Sequence, residues 1–158
     1  MTTTSPTTTL AFERHGAGVP IVLLPGLTFQ RRTWRPIVER LGDDVCSLTV
    51  DLPAHGDSTG SPCDLAGVAA RVHDLVETLG IEAPVVVGHS MSGGAAMIYA
   101  ASYPARGAVT VDSPLNLVPF AELVQRLMPA LRGSRFRAGV RALPAEHGHR
   151  PHSRAAAV

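Results

Sequence analysis

No apolar run in this 158-residue sequence approaches the roughly 18 to 20 residues that cross a bilayer, so no membrane-spanning helix is expected. Charge of one sign is also missing. The chain has 14 basic and 13 acidic residues, a formal net charge of +1. No global field favours nucleic acid or an anionic membrane as a partner. Cysteine is scarce. Cys46 and Cys63 stand alone, which excludes a metal or redox motif built on paired thiols. Lysine is absent, and every basic residue is arginine. With abundant alanine, glycine, proline and valine, this points to a GC-rich coding sequence. The segment Met1–Thr9 is threonine-rich, with no basic residue and no apolar core. No signal peptide is expected, and the default expectation is a soluble cytoplasmic protein.

What is present is an ordinary globular balance, 45% hydrophobic and 17% charged, of a length that suits one domain with a real core. Residues 1–8 read as a disordered leader. Leu10 to Arg14 is a strand candidate before the turn His15-Gly16-Ala17-Gly18. Ile21 to Leu24 is a continuous apolar run ending at Pro25-Gly26, the pattern of a strand buried on both faces. Thr33 is placed to cap a helix carrying Trp34, Ile37, Val38 and Leu41, ended by Gly42. Val45 to Val50 is the next buried strand, followed by a loop, Asp51 to Asp57, rich in turn formers. Asp64 caps a second helix that Gly80 stops. Strand Pro84–Val87, a helix from about Met91 to Ser102, and strand Gly107–Val111 complete the regular part. Alternating apolar strands and helices predict an α/β fold, a mostly parallel sheet with helices on both faces. Chemistry in such sheets lies beyond the carboxyl ends of the strands. Gly26, Asp51, Ser90 and Asp112 all fall there.

The stretch Val85-Val86-Val87-Gly88-His89-Ser90-Met91-Ser92-Gly93-Gly94 carries the most information. A β-branched run stops at a glycine, a serine follows, and small residues open an apolar helix. This is the strand–turn–helix that presents a nucleophilic serine. A hydroxyl attacks only when a base takes its proton and the developing oxyanion meets preformed donors. The sharp turn points Ser90 away from the sheet and sets the Met91 N–H beside the reacting carbonyl. Two residues beyond Ser90, where glycine is usual, stands Ser92. The other reading of this stretch is a plain strand–helix turn with an incidental serine. Gly26 lets the backbone after the early strand aim its N–H groups at a ligand. The Leu27 N–H then becomes the partner of Met91 in an oxyanion hole.

Three blocks now stand in order: Leu23-Leu24-Pro25-Gly26-Leu27, then Asp51-Leu52-Pro53-Ala54-His55-Gly56-Asp57-Ser58, then Val87-Gly88-His89-Ser90-Met91-Ser92-Gly93-Gly94. Together they resemble the first half of the α/β-hydrolase superfamily, over roughly residues 8–125. Pro25 departs from the pattern, since members often carry histidine there. The resemblance implies an eight-stranded sheet, a cap inserted after the sixth strand, and a Ser–acid–His triad in that chain order, without a cofactor. Carried over, Ser90 is the nucleophile, and Leu27 and Met91 supply the oxyanion donors. Asp112 ends what would be the sixth strand and resembles one of the two places for the acid. Its other reading is an Asp-Ser-Pro turn opening a loop. His55 resembles a loop histidine that is usually structural. The core is expected over residues 9–118 and the first helix of a cap over 119–132.

The pattern breaks in residues 133–158, an irregular tail with five arginines, three histidines and one acid, Glu146. No later strand is visible to carry the triad histidine. His147, His149 and His152 read as a displaced base, a metal tract or a solvated tail. One version of the last reading is a truncated or frameshifted copy of a longer hydrolase. The implied function is a serine hydrolase acting on a small-molecule ester or similar carbonyl compound. The alternative is a non-catalytic hydrolase-fold fragment that binds a small apolar ligand or a partner chain. Peroxidation without a cofactor or acyl transfer by the same serine stays within the same resemblance. A dinucleotide-binding domain would need G-x-G-x-x-G after its first strand, which Pro25-Gly26-Leu27-Thr28-Phe29-Gln30 lacks.

Overall fold

The computed structural model describes residues 9–114 together with Asn116, Val118, Glu122, Leu123, Gln125 and Arg126. The chain divides into two units, Met1–Leu115 and Asn116–Val158. In the second, Val118, Glu122, Leu123, Gln125 and Arg126 are helical. The expected leader, the remainder of the expected cap helix and the tail of residues 133–158, with its three histidines, lie outside the described residues.

In the first unit, β1 (Phe12–His15), β2 (Val19–Leu24), β3 (Val45–Val50), β4 (Val85–His89) and β5 (Gly107–Val111) form one sheet in the order β1-β3-β2-β4-β5. Only β1 runs antiparallel, against β3, and the other pairings are parallel. The short turn from His15 to Val19 returns β2 to the sheet beside β3, not beside β1. Helices α2 (Leu65–Thr78) and α3 (Ser92–Ser102) cover one face. Their residues Val68, Val72, Val76, Ala95 and Tyr99 pack with Val22, Leu24, Leu48, Val50 and Val86 of the strands. On the other face α1 (Arg35–Leu41) places Val38, with Trp34 before it, against Leu23. The side chains at Val22 and Leu24 go one way and Leu23 the other, the period-2 alternation of a central strand.

The helix ends follow their local chemistry. Asp64 precedes α2 in an extended conformation and accepts the Gly67 N–H at 2.8 Å. The far end closes with Ile81 N–H on the Val76 carbonyl and Gly80 N–H on that of Glu77, with Gly80 at φ 61°. That is the paired end bond that a left-handed glycine permits. Thr33 does not cap α1. A 3-10 turn, Arg31–Trp34, precedes the helix, and Trp34 sits at its start without a side-chain cap. Pro36 near the helix start needs no N–H partner there. β5 also departs from expectation, with Val109 and Val111 largely exposed. It is the edge strand among the described residues, and no described element encloses its valines. Among the described residues no helix is long and apolar enough to cross a membrane.

Candidate active site

The register of β2, β4 and β5 brings their carboxyl ends level. Leu24 pairs with Gly88, and Gly88 with Thr110. The loop after β2, the turn after β4 and the residue after β5 therefore open on one edge of the sheet.

Ser90 occupies the turn between β4 and α3 with φ 53°. A left-handed conformation costs a side-chain-bearing residue about 1 to 3 kcal/mol, so the surroundings must impose it. They do so from both sides. The Ser90 N–H donates to the Val111 carbonyl at 2.8 Å, and the Ser90 carbonyl accepts the Gly93 N–H at 3.0 Å. Neighbouring segments come too close for a side chain at two positions. A Cβ on Gly88 would stand 2.1 Å from the Ser92 carbonyl oxygen, and one on Gly93 would stand 2.0 Å from Ser113 Oγ. The side chain of Ser90 is half-buried, and its hydroxyl has no hydrogen-bond partner among the described residues.

Met91 follows as the residue that caps the start of α3, half-buried, and Leu27 is exposed in the loop after β2. Neither backbone N–H makes a turn, loop or cap hydrogen bond among the described residues. Between these two segments lies Ser92, 2% exposed, whose hydroxyl donates to the Pro25 carbonyl at 2.5 Å. His89 lies on the other side of the same loop. Its ring contacts Phe29 and Trp34, with centroids 5.6 and 6.4 Å away. A Cβ at Gly26 would meet His89 Nδ1 at 3.0 Å, so the absent side chain allows the ring to cover the loop. Asp112 stands directly after β5, exposed, with φ 48°.

His55 makes its ring contact within its own loop. Its Nδ1 is 2.8 Å from the Pro53 carbonyl, and its backbone N–H donates to Leu52. The ring is held by its own loop. The group that sequence reading undervalued here is Asp51, fully buried at the end of β3. Its carboxylate takes the Arg31 N–H at 2.6 Å, the Asp57 N–H at 3.0 Å, and the Arg31 guanidinium. Arg31 also reaches Asp57 at 2.9 Å and Glu13 at 3.3 Å. Burial pulls the guanidinium pKa down, but hydrogen bonds and charges from Asp57 and Asp51 outweigh it and hold the value above its usual level. Gly56, with φ 52°, passes so close that a Cβ would fall 2.1 Å from Asp51 Oδ2. The network fastens the loops after β2 and β3 to each other. An aspartate at a strand end followed by the turn glycine Gly56 was the available signal, but the partner arginine lies 20 positions away.

The sequence profile of the alpha/beta hydrolase family matches residues 21–158. The chain belongs to the alpha/beta hydrolase family. Similarity extends to curated proteins of several kinds. A monoacylglycerol lipase of Rattus norvegicus is 31% identical over 96 residues, which make up 58% of this chain and 28% of the lipase. The dihydrolipoyllysine-residue acetyltransferase component of an acetoin cleaving system from Cupriavidus necator is 36% identical over 109 residues, 66% of this chain and 29% of that protein. Among solved structures, a thermophilic esterase from Thermogutta terrifontis superposes with a TM-score of 0.70 at 27% identity, over 83% of this chain and 52% of the esterase. The chain spans less than a third of these two curated relatives and about half of the esterase.

Proposed function

We propose that this chain is a serine hydrolase acting on a small-molecule ester or similar carbonyl compound, with Ser90 as nucleophile. The observation that carries this reading is the conformation of Ser90. A serine is held at φ 53° between a strand and a helix whose contact excludes a side chain at Gly88, while Ser113 after β5 excludes one at Gly93. A plain strand–helix junction has no need of that strain, whereas a nucleophile must project free of the sheet. In the proposed reaction Ser90 Oγ adds to the carbonyl carbon and the oxyanion settles between the N–H groups of Leu27 and Met91. Asp112 is the proposed acid, on its position at the end of β5. The triad histidine is then sought among residues outside those described, His147, His149 and His152 included. A cytoplasmic location is part of the same proposal.

The unpartnered Ser90 hydroxyl favours a second reading, a hydrolase-fold unit that binds without turnover. Intact-mass measurement after incubation with an alkyl fluorophosphonate separates the two. The hydrolase reading expects one adduct, located at Ser90 and lost in Ser90→Ala. An absence of adduct under conditions that label an active esterase favours the binding unit. Residual catalysis survives loss of a triad member when the oxyanion hole persists, so slow labelling still counts for Ser90.

A further inference from the structure

A cleft of about 370 Å³ lies between α1 and the strands β1 and β3, and Ser90, Met91, Leu27 and Asp112 take no part in its walls. Glu13 and His15 of β1 and Thr49 of β3 line it from the sheet. Arg32, Arg35 and Glu39 line it from the 3-10 turn and α1, and Asp43 from the loop that follows. Backbone contacts hold its outline. The Ala17 N–H donates to the Asp43 carbonyl at 2.9 Å, and a Cβ on Gly16 would stand 2.2 Å from the Val45 carbonyl oxygen. The turn after β1 therefore lies directly against the loop after α1. Arg31, also in the wall, is fixed by Asp51, Asp57 and Glu13.

Opposite charges divide the helix wall. Arg32 precedes α1 and Arg35 opens it, whereas Glu39 stands near its end and Asp43 beyond it. Arg35 and Glu39 are one turn apart, the spacing at which opposite charges on a helix meet. Both line the cleft, yet neither makes an ion pair among the described residues, and nor does Asp43. The order, cation before anion, is the weaker one for such a pair, which leaves both heads to a ligand. We propose that the cleft binds a zwitterion of dipeptide length, its carboxylate on the Arg35 guanidinium and its ammonium on Glu39 and Asp43. Such a site is independent of Ser90. Charge disfavours simpler ligands. A dianion would meet Glu13, Glu39 and Asp43, and a plain cation would meet Arg32 and Arg35. Length disfavours a free α-amino acid. One helical turn sets Arg35 and Glu39 about 6 Å apart along the axis. An extended dipeptide separates its charged ends by about 7 Å, whereas the two charges of an α-amino acid share one carbon. A guanidinium grips a carboxylate through two parallel hydrogen bonds. Arg35, Glu39 and Asp43 are exposed, so millimolar binding is expected rather than tight capture.

The test titrates the full, isotope-labelled chain with glycylglycine at neutral pH and low ionic strength, and follows the backbone amides by NMR. Saturable shifts are expected across the 3-10 turn, α1 and the loop to Asp43. N-acetylglycylglycine lacks the ammonium and glycylglycinamide lacks the carboxylate, and each should bind at least about fivefold more weakly. Free glycine should be weaker than glycylglycine as well. Two variants at exposed positions separate the ends of the ligand. Arg35→Gln should weaken glycylglycine by about fivefold and leave glycylglycinamide unchanged, because only the carboxylate contact is lost. Glu39→Gln should weaken glycylglycine and leave N-acetylglycylglycine unchanged. Thermal midpoints equal to the parent's establish that both variants are folded. Equal binding by glycylglycine and its two capped forms, folded variants that bind all three as the parent does, or shifts that never saturate overturn the site. Ser90→Ala should bind glycylglycine as the parent does. Failure of this titration therefore leaves the nucleophile reading untouched, and failure of fluorophosphonate labelling leaves the cleft untouched.

Discussion

Ser92 donates its hydroxyl to the carbonyl of Pro25 across 2.5 Å, linking the first turn of α3 to the loop after β2. These are the segments that carry Met91 and Leu27. The position usually demands glycine because strand, turn and helix crowd there. In this chain a serine occupies it, fully buried, and its hydroxyl holds the two halves of the proposed oxyanion hole at a fixed spacing. Pro25 is buried, and among the described residues its carbonyl accepts no other turn or loop hydrogen bond.

Ser92→Ala removes the donor and keeps the size. Leaving a buried carbonyl unsatisfied costs about 1 to 3 kcal/mol, so the thermal midpoint should fall. The more specific expectation is at Leu27. Amide hydrogen exchange across Gly26 to Phe29 should quicken, and fluorophosphonate labelling of Ser90 should slow by about tenfold, equal to about 1.4 kcal/mol of barrier. Unchanged exchange in that loop would show that the hydroxyl does not hold it.

Gly88→Ala tests the strand–helix contact behind Ser90. The new methyl would overlap the Ser92 backbone carbonyl, whose oxygen lies 2.1 Å from the Cβ position. Backbone cannot rotate away as a side chain can, so α3 must shift or the protein must unfold. Either result removes the left-handed setting of Ser90. The expected outcome is a lowered unfolding midpoint with labelling abolished. A variant that melts and labels as the parent does would mean that φ at Ser90 has another cause.

The turn at Ser90 and its glycines was legible in the sequence because the constraint is local: six neighbouring residues, Gly88 to Gly93, define strand end, turn and helix start. The same holds for Asp64 before α2 and Gly80 after it, where cap and stop lie within a turn of the helix they serve. Three features were not legible. Thr33 has the chemistry of a cap, but Trp34 is drawn into the core against Leu23, and the chain reaches it through a 3-10 turn. The exposure of Val109 and Val111 depends on what packs against β5, a question of neighbours rather than of propensity. The pairing of Arg31 with Asp51 joins residues 20 positions apart, and nothing in local periodicity marks an arginine as buried.

Arg31→Met measures what that pairing contributes. It leaves the Asp51 carboxylate buried with only backbone N–H groups for company. Breaking one side of a buried ion pair typically costs about 3 to 5 kcal/mol. The urea midpoint should fall accordingly. Adding Asp51→Asn to Arg31→Met should recover part of the loss, since the orphaned charge disappears. If the double variant is no more stable than Arg31→Met, the charge pairing is not what holds the two loops.

Tyr99 supplies a pH-dependent expectation far from the ionic network. Its ring is 1% exposed in α3, and its hydroxyl has no partner among the described residues. Burial, with smaller contributions from the charges of Glu77 and Tyr103, pushes its pKa up to about 12. An unfolded tyrosine ionises near 10. Below that value both states keep the proton and stability does not depend on this group. Between about 10 and 12 the unfolded chain releases a proton that the folded chain retains, so unfolding becomes easier as pH rises, by about 2 to 3 kcal/mol over the interval. Tyr99→Phe should flatten that part of the stability profile. At neutral pH it should be close to neutral or slightly stabilising, because it removes a buried hydroxyl that makes no hydrogen bond. Chemical denaturation at several pH values from 8 to about 11.5 decides the matter. A profile that falls equally steeply in Tyr99→Phe would assign the alkaline loss to another residue.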